Sequence, residues 1–448
     1  MIGRRRVGKT YLIREHYKQN IVFEFTGTQH ASIDNQLQKF AHKLQTYGKS
    51  ALITAKPENW AEGFRYLTAY LSGISKRKKK PVVIFDELPW IDTHRSGFLN
   101  ELTYWWNDWA NQQSIIVVIC GSAASWMIQN VISNKGGLHN RVTAKIHLQP
   151  FTLAETKEYV QQINPRLKEY AILQLYMAIG GIPFYLKGLR KGESATQAIQ
   201  RLCFDKNGLL RTEFDNLYAA LYEKPERHIA VIKALGTKWK GLTRQQIIKQ
   251  TKIPDGGGMT KLLAELESAS FIVAIQPFGK KKKDMLFRLI DEYSLFYLNF
   301  IDNKRAGKQN VWQQSSKSQT YKTWRGYAFE NICIKHADAI TKALGIDGIH
   351  SNVSGYTAQG VQIDMLIDRV DDIINLCEMK FYNDEILLSN QDASTLRRRR
   401  TVFQEQSKTK KSVFITLVTT FGIRPNQYSD ELIDKLVTLD DLFQLDSF

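Results

Sequence analysis

Eight residues near the N-terminus, Gly3-Arg4-Arg5-Arg6-Val7-Gly8-Lys9-Thr10, constrain this chain more than any other feature. They fit the pattern G-x-x-x-x-G-K-[ST]. The two glycines let the backbone curl so that successive N–H groups point at phosphate oxygens. A helix opening near Gly8 adds the positive end of its dipole. In that arrangement Lys9 reaches the β- and γ-phosphates and Thr10 ligates Mg²⁺, while Gly3, Arg4, Arg5, Arg6, Val7 and Gly8 form the cradle. Such a loop ordinarily follows a buried strand, and here only Met1 and Ile2 precede it. The expectation is a P-loop with its gripping residues present and its supporting strand missing. One sheet position would be empty, and ATP would bind less well than to a version extended upstream. A start assigned too late accounts for this better than a truncated form.

The chain has 448 residues, enough for two to four domains, and 43% of them are hydrophobic, as in globular proteins rather than disordered ones. The formal net charge is +18. That excess favours an acidic partner, with nucleic acid first and an anionic membrane second, although a merely soluble basic protein has the same balance. Cys120, Cys203, Cys333 and Cys377 lie far apart in sequence, so neither a C-x-x-C metal site nor a disulfide framework is expected. Cytoplasmic conditions suit such cysteines. No apolar run is long enough for a membrane span, and the Arg-rich start lacks a signal-peptide core.

Val82-Val83-Ile84-Phe85-Asp86-Glu87 is an apolar run ending in two acids. Such a run suits a central parallel strand buried on both faces. Its carboxyl end is where ligands bind in open α/β sheets. Asp86 would then hold Mg²⁺ through water and Glu87 would polarise the attacking water. Pro81 and the basic run Lys76–Lys80 before it read as a loop. Ser114–Cys120 is a second buried-strand run, and Ser122 just beyond it is placed to sense a γ-phosphate. Gly136–Arg141 precedes a third expected strand, Ala144–Leu148. Arg141 is either an arginine finger acting on a neighbouring subunit's nucleotide or a plain surface arginine.

The series GRRRVGKT, VVIFDE, VVICGSA, LHNRVTAKIHLQPF and Gly180-Gly181-Ile182-Pro183-Phe184-Tyr185-Leu186 resembles the archaeal/bacterial P-loop ATPase family, which is similar to AAA+ and STAND-type NTPases. The likeness covers roughly residues 1–220. It implies ATP with Mg²⁺ as ligand, a helical lid carrying the GGIPFYL segment, and an ATPase domain able to form homo-oligomers. No guanine-reading Asn-Lys-x-Asp motif is present.

Residues 226–290 alternate between helical and strand patterns, as in a winged helix. Helices are expected over Glu226–Leu235, from Leu242 with Thr243 as N-cap, and over Met259–Ser270. Ile272–Ile275 and Met285–Leu289 then flank Gly279-Lys280-Lys281-Lys282-Lys283, a hairpin with a four-lysine tip. A basic tip contacts DNA phosphates without reading sequence; the alternative is a rigid connector. Asp291–Phe300 resembles the aromatic connector of the same family and is expected to be a packed helix. Residues 301–320 are polar and read as a linker.

In the C-terminal third, Val361–Ile367 is a strand with Asp364 in its middle, and Ile373–Lys380 is a second strand carrying Glu378 and Lys380. Residues two apart share a strand face, and a turn near Val370-Asp371-Asp372 would bring Asp364 alongside. Two carboxylates suit Mg²⁺, Lys380 can orient its water, and Glu330 on the preceding helix adds a third acid. This spacing resembles the PD-(D/E)XK nuclease superfamily over about residues 321–430, joined as in the DUF234-type domain of these ATPases, except that Ile363 stands where many members have Pro. The opposing possibility is a non-catalytic fold in which Asp364, Glu378 and Lys380 satisfy one another. Leu396-Arg397-Arg398-Arg399-Arg400 falls in a helix that could grip DNA phosphates.

These readings predict a multidomain α/β protein. A P-loop parallel-sheet ATPase core covers 1–150 with its first strand missing. A helical lid covers 151–222, a winged helix and aromatic connector 223–300, a linker 301–320, and a small restriction-endonuclease-like α/β domain 321–448. The leading functional reading is an ATPase whose nucleotide state licenses DNA binding or cleavage. The second is a STAND-type signalling or scaffold regulator whose C-terminal domain binds without cleaving.

Overall fold

The apolar run before Asp86 becomes the centre of a parallel sheet. The computed structural model describes residues 1–48, 55–74, 80–93, 95–133, 138, 141–302 and 311–444. Lys76–Lys79, Gly136, Gly137, His139, Asn140 and residues 303–310 of the expected linker lie outside the described residues. The chain forms two compact units, Met1–Gln149 and Pro150–Phe448.

In the first unit, helix α1 (Lys9–Tyr17) leads into β1 (Ile21–Thr26), and β2 (Val82–Asp86) and β3 (Ile116–Ile119) follow, in the order β1-β2-β3, all parallel. Every residue of β2 is buried, as its unbroken apolar sequence requires. The helices Ile33–Gly48, Trp60–Ile74 and Phe98–Asp108 cover one face. There Phe40 lies 5.2 Å from the rings of both Phe23 and Phe25 and 5.5 Å from Trp60. Edge-to-face pairs of this kind add about 0.5–1.5 kcal/mol each beyond area burial.

The expected third strand, Ala144–Leu148, is reduced to a single bridge. Ile2 pairs in parallel with Gly121 on one side and His147 on the other, and its amide donates to Ile146 O at 2.8 Å. β3 is half-buried along its length, and an apolar cavity of about 580 Å³ lies beside it, lined by Met1, Ile13, Val118 and Ile146 among others.

The second unit begins with helices spanning 153–221. The first, Leu153–Ile163, is held by a capping box of Thr152 and Glu155. Three helices follow, Pro225–Gly236, Arg244–Thr251 and Gly257–Ser268. With them goes an antiparallel sheet of β4 (Leu242–Thr243), β5 (Ile272–Ile275) and β6 (Leu286–Leu289), ordered β4-β6-β5. Thr243 caps the middle helix as its sequence predicts. A mixed five-stranded sheet closes the chain. Its strands are β7 (Ser351–Ala358), β8 (Val361–Arg369), β9 (Ile373–Lys380), β10 (Ser412–Thr419) and β11 (Lys435–Val437), in the order β11-β10-β9-β8-β7.

Residues 311–320 are not a solvated spacer. Val311–Ser315 is helical, and Trp312 is 2% exposed among Phe204, Phe296, Phe300 and Tyr321. One tryptophan in a polar stretch anchors the segment by burying its indole.

Candidate functional site

Gly8 forms the N-cap of α1, with φ +91°, and has no side chain to occupy the first helical amides. Gly3 has φ +151°, and a Cβ there would sit 2.3 Å from Leu148 O. Only glycine fits that approach. Arg6 also adopts positive φ, at +77°, so the loop curls as the motif requires. The guanidinium of Arg5 stacks 5.6 Å from the centre of the Trp90 ring, and Arg4 and Val7 are buried. Lys9 Nζ donates to Gly3 O at 2.8 Å and Arg4 O at 3.0 Å, closing the loop on itself. Burial pulls the Lys9 pKa below its ordinary value, against the opposing charges of Glu87 and Asp86.

Thr10 Oγ1 donates to Asp86 Oδ2 at 2.7 Å. Asp86 Oδ1 accepts from the Glu87 amide at 2.9 Å and from Cys120 Sγ at 2.5 Å. Burial raises the Cys120 pKa well above the usual thiol range, so it stays a donor. Glu87 turns the chain at φ +50°, a costly conformation for a glutamate that places its carboxylate off the strand end. Glu87 Oε2 accepts from both the amide and the hydroxyl of Ser122, at 2.9 and 2.7 Å. The Thr10 hydroxyl, at the start of α1, and the Asp86 carboxylate, at the end of β2, are oxygen groups of the kind that fit a hard divalent cation bound with a nucleotide. Arg141 is exposed, and its Nε donates to Asn107 Oδ1 at 2.9 Å.

A second cluster lies in the C-terminal unit. β8 and β9 pair antiparallel with Met365 opposite Cys377, and the chain reverses near Val370–Asp372 as expected. Asp364 Oδ1 accepts from Gln362 Nε2 at 2.7 Å. Glu378 is paired with Lys380 Nζ at 3.3 Å and with Arg399. Glu330 lies on the helix Gln319–Lys335. Arg288 of β6, 3% exposed, sits 3.6 Å from Glu330 Oε2 and 3.9 Å from Asp364 Oδ1. Burial, then the Asp364 charge, pushes the Glu330 pKa up. Sequence reasoning brought Asp364, Glu330, Glu378 and Lys380 together and missed Arg288 and the inward turn of Arg399. Arg399 was read as a phosphate grip, yet it turns inward to Glu378, and Arg397 pairs with Glu431. Among the described residues no three His, Cys, Asp or Glu side chains are grouped to hold a metal. As they stand, these carboxylates are arranged around guanidinium groups and do not fit Mg²⁺.

Comparison with known proteins bears on the first unit most directly. An uncharacterized protein of Methanocaldococcus jannaschii is 21% identical over 367 residues, covering 81% of this chain and 78% of that protein. An uncharacterized ATP-binding protein of the same organism is 29% identical over 174 residues, 38% of this chain and 47% of that protein. The Walker-type ATPase of Pyrococcus abyssi superposes with a TM-score of 0.49 at 17% identity, covering 66% of this chain and 89% of that one. Residues 1–189 match the family described as an ATPase domain predominantly from Archaea.

Proposed function

We propose that this ATPase domain binds ATP with Mg²⁺ through Gly3–Thr10 and Asp86, hydrolyses it with Glu87, and couples its nucleotide state to DNA binding or cleavage by residues 321–448. The observation that carries the ATPase reading is the hydrogen bond of Thr10 to Asp86, which joins the two expected metal-binding groups at 2.7 Å. Bound Mg²⁺ would neutralise phosphate charge. Lys9, released from the Gly3 and Arg4 carbonyls, supplies a buried positive charge to the same phosphates. Ser122 fixes the orientation of the Glu87 carboxylate, which takes up or positions the proton of a water. The exposure of Arg141 leaves it available to a neighbouring subunit in a homo-oligomer. Residues 151–222 serve as the lid, and 226–290 as a winged helix whose exposed Lys280–Lys283 meet phosphates.

Wild-type protein is expected to release phosphate from ATP in an Mg²⁺-dependent manner, and Glu87→Gln to bind ATP while losing turnover. Equal turnover in both would remove Glu87 from the chemistry. For the C-terminal domain, metal-dependent plasmid nicking abolished by Asp364→Ala supports a nuclease. The pairing of Arg288 with Glu330 and Asp364, and of Arg399 with Glu378, favours a second reading, a STAND-type regulator that binds without cleaving. DNA retention without nicking at any Mg²⁺ or Mn²⁺ level selects it.

A further inference from the structure

Arg5, in the middle of the Gly3–Thr10 loop, carries a buried donor that nothing among the described residues accepts. The residue is half-buried, and its Nη1 is shut off from solvent without a hydrogen-bond partner. A guanidinium N–H left unpaired in this way is costly. Arg14, on the helix that follows the loop, shows the ordinary solution. Its Nε donates to Glu24 Oε1 at 3.0 Å and to Oε2 at 3.1 Å. Nη1 of Arg5 has no such carboxylate.

Two neighbours locate the group. The guanidinium lies over the Trp90 ring, 5.6 Å from its centroid. Trp90 follows the carboxyl end of β2, and its backbone is fixed on both sides. Its amide donates to Glu87 O at 2.8 Å, and its carbonyl accepts from Gln36 Nε2 at 2.8 Å. The second neighbour is Lys9, whose hold on its proton is weakened by the Arg5 charge. A guanidinium resting on an aromatic face keeps its in-plane N–H fork free for another partner. Like charges gathered in a partly buried loop are relieved by an anion that meets both. A phosphoryl group suits the fork, because two of its oxygens can accept from two N–H groups at once.

We propose that Arg5, seated on Trp90, donates through this fork to the terminal phosphate of the bound nucleotide, so that the site separates a nucleoside triphosphate from a diphosphate. The proposal rests on the reading of Gly3–Thr10 as an ATP site. It adds to that site a specificity residue, Arg5, and a positioning residue, Trp90. The backbone amides of the loop grip phosphates that ATP and ADP share. The Arg5 fork meets oxygens that ADP lacks. The contact is therefore made in one nucleotide state and absent in the other, and Trp90 carries the difference to the short helix Leu88–Ile91 beside Glu87.

The test titrates the full chain by calorimetry with Mg²⁺-ADP and with the Mg²⁺ complex of an ATP analogue whose β–γ bridge is an imido group, which resists turnover. Arg5→Gln is expected to bind the triphosphate about tenfold or more weakly than wild type, through loss of a charge-assisted pair, and Mg²⁺-ADP within about twofold. Inorganic tripolyphosphate, displacing bound ADP, is expected to weaken by the same factor as the triphosphate. A loss confined to nucleotides puts Arg5 on the base or sugar and overturns the proposal. Equal losses for triphosphate and diphosphate, or no loss for either, overturn it and leave the ATP site standing. A wild-type chain that binds no nucleotide overturns both. If Arg5→Gln does not fold, Trp90 decides. Trp90→Leu is expected to lower the preference for triphosphate over diphosphate about threefold or more, and Trp90→Phe, which keeps a ring under the guanidinium, to retain it. An unchanged preference in Trp90→Leu overturns the proposal.

Discussion

Thr10 Oγ1 donates to Asp86 Oδ2 at 2.7 Å, tying the first turn of α1 to the carboxyl end of β2. The bond spans two segments that touch only because β2 is central in the sheet. A divalent ion placed there inherits both ligands. Asp86→Asn is expected to keep metal-free nucleotide binding and to lose the tightening that Mg²⁺ brings, with turnover down about a hundredfold or more. Calorimetry with ATP in the presence and absence of Mg²⁺ checks this, and the idea fails if the Mg²⁺ effect is unchanged.

Ser122 is a positioning residue in this account. Both its donors end on Glu87 Oε2. Ser122→Ala removes one and leaves the amide, so turnover is expected to fall about tenfold while the KM for ATP stays near wild type. A rise in KM with constant kcat would instead place Ser122 on the nucleotide.

Trp312 separates a packed segment from a free spacer. Trp312→Ala is expected to destabilise the C-terminal unit by about 3–5 kcal/mol, the usual cost of deleting a buried aromatic. A spacer residue would give less than about 0.5 kcal/mol. Urea unfolding of the full chain, followed by fluorescence and circular dichroism, measures the difference.

His336 supplies a pH dependence. It is buried, its Nε2 accepts from the Leu153 amide at 3.0 Å, and its Nδ1 donates to Ile332 O at 2.8 Å. Burial, aided by the charge of Lys335, lowers its pKa from 6.5 to about 4. The folded state thus prefers neutral histidine, and between those values the unfolded chain binds more protons. The stabilisation is fully present above pH 6.5 and is lost as pH falls towards 4, by about 3 kcal/mol at most. The urea midpoint of wild type is expected to drop across that window more than that of His336→Gln. Parallel profiles contradict the assignment.

Much of this arrangement was legible in the chain itself, for identifiable reasons. Val82–Phe85 is apolar at every position, and only a strand buried on both faces uses such a run. Glu378 and Lys380 sit two apart on one strand, so their shared face followed from strand geometry. Arg288 was hidden because Leu286-Phe287-Arg288-Leu289 looks like any hairpin strand with a polar residue facing out. Its partners come from a helix and a strand much later in the chain, and no local pattern carries that distance. A single arginine between large apolar residues in a short strand is the one available hint. The Arg397–Arg400 run misled by composition, since alternate positions on a helix face different neighbours and Arg399 points inward. Residues 144–148 carry a strand-like pattern, yet among the described residues they pair only through the isolated bridge of His147 with Ile2.

The most direct test of the central claim is calorimetric titration of Mg²⁺-ATP into the full chain and into Lys9→Ala. The account predicts saturable one-site binding by wild type, weakened about a hundredfold or more in the variant, as befits loss of a buried phosphate-facing charge. No binding by wild type, or equal binding by both proteins, would contradict it.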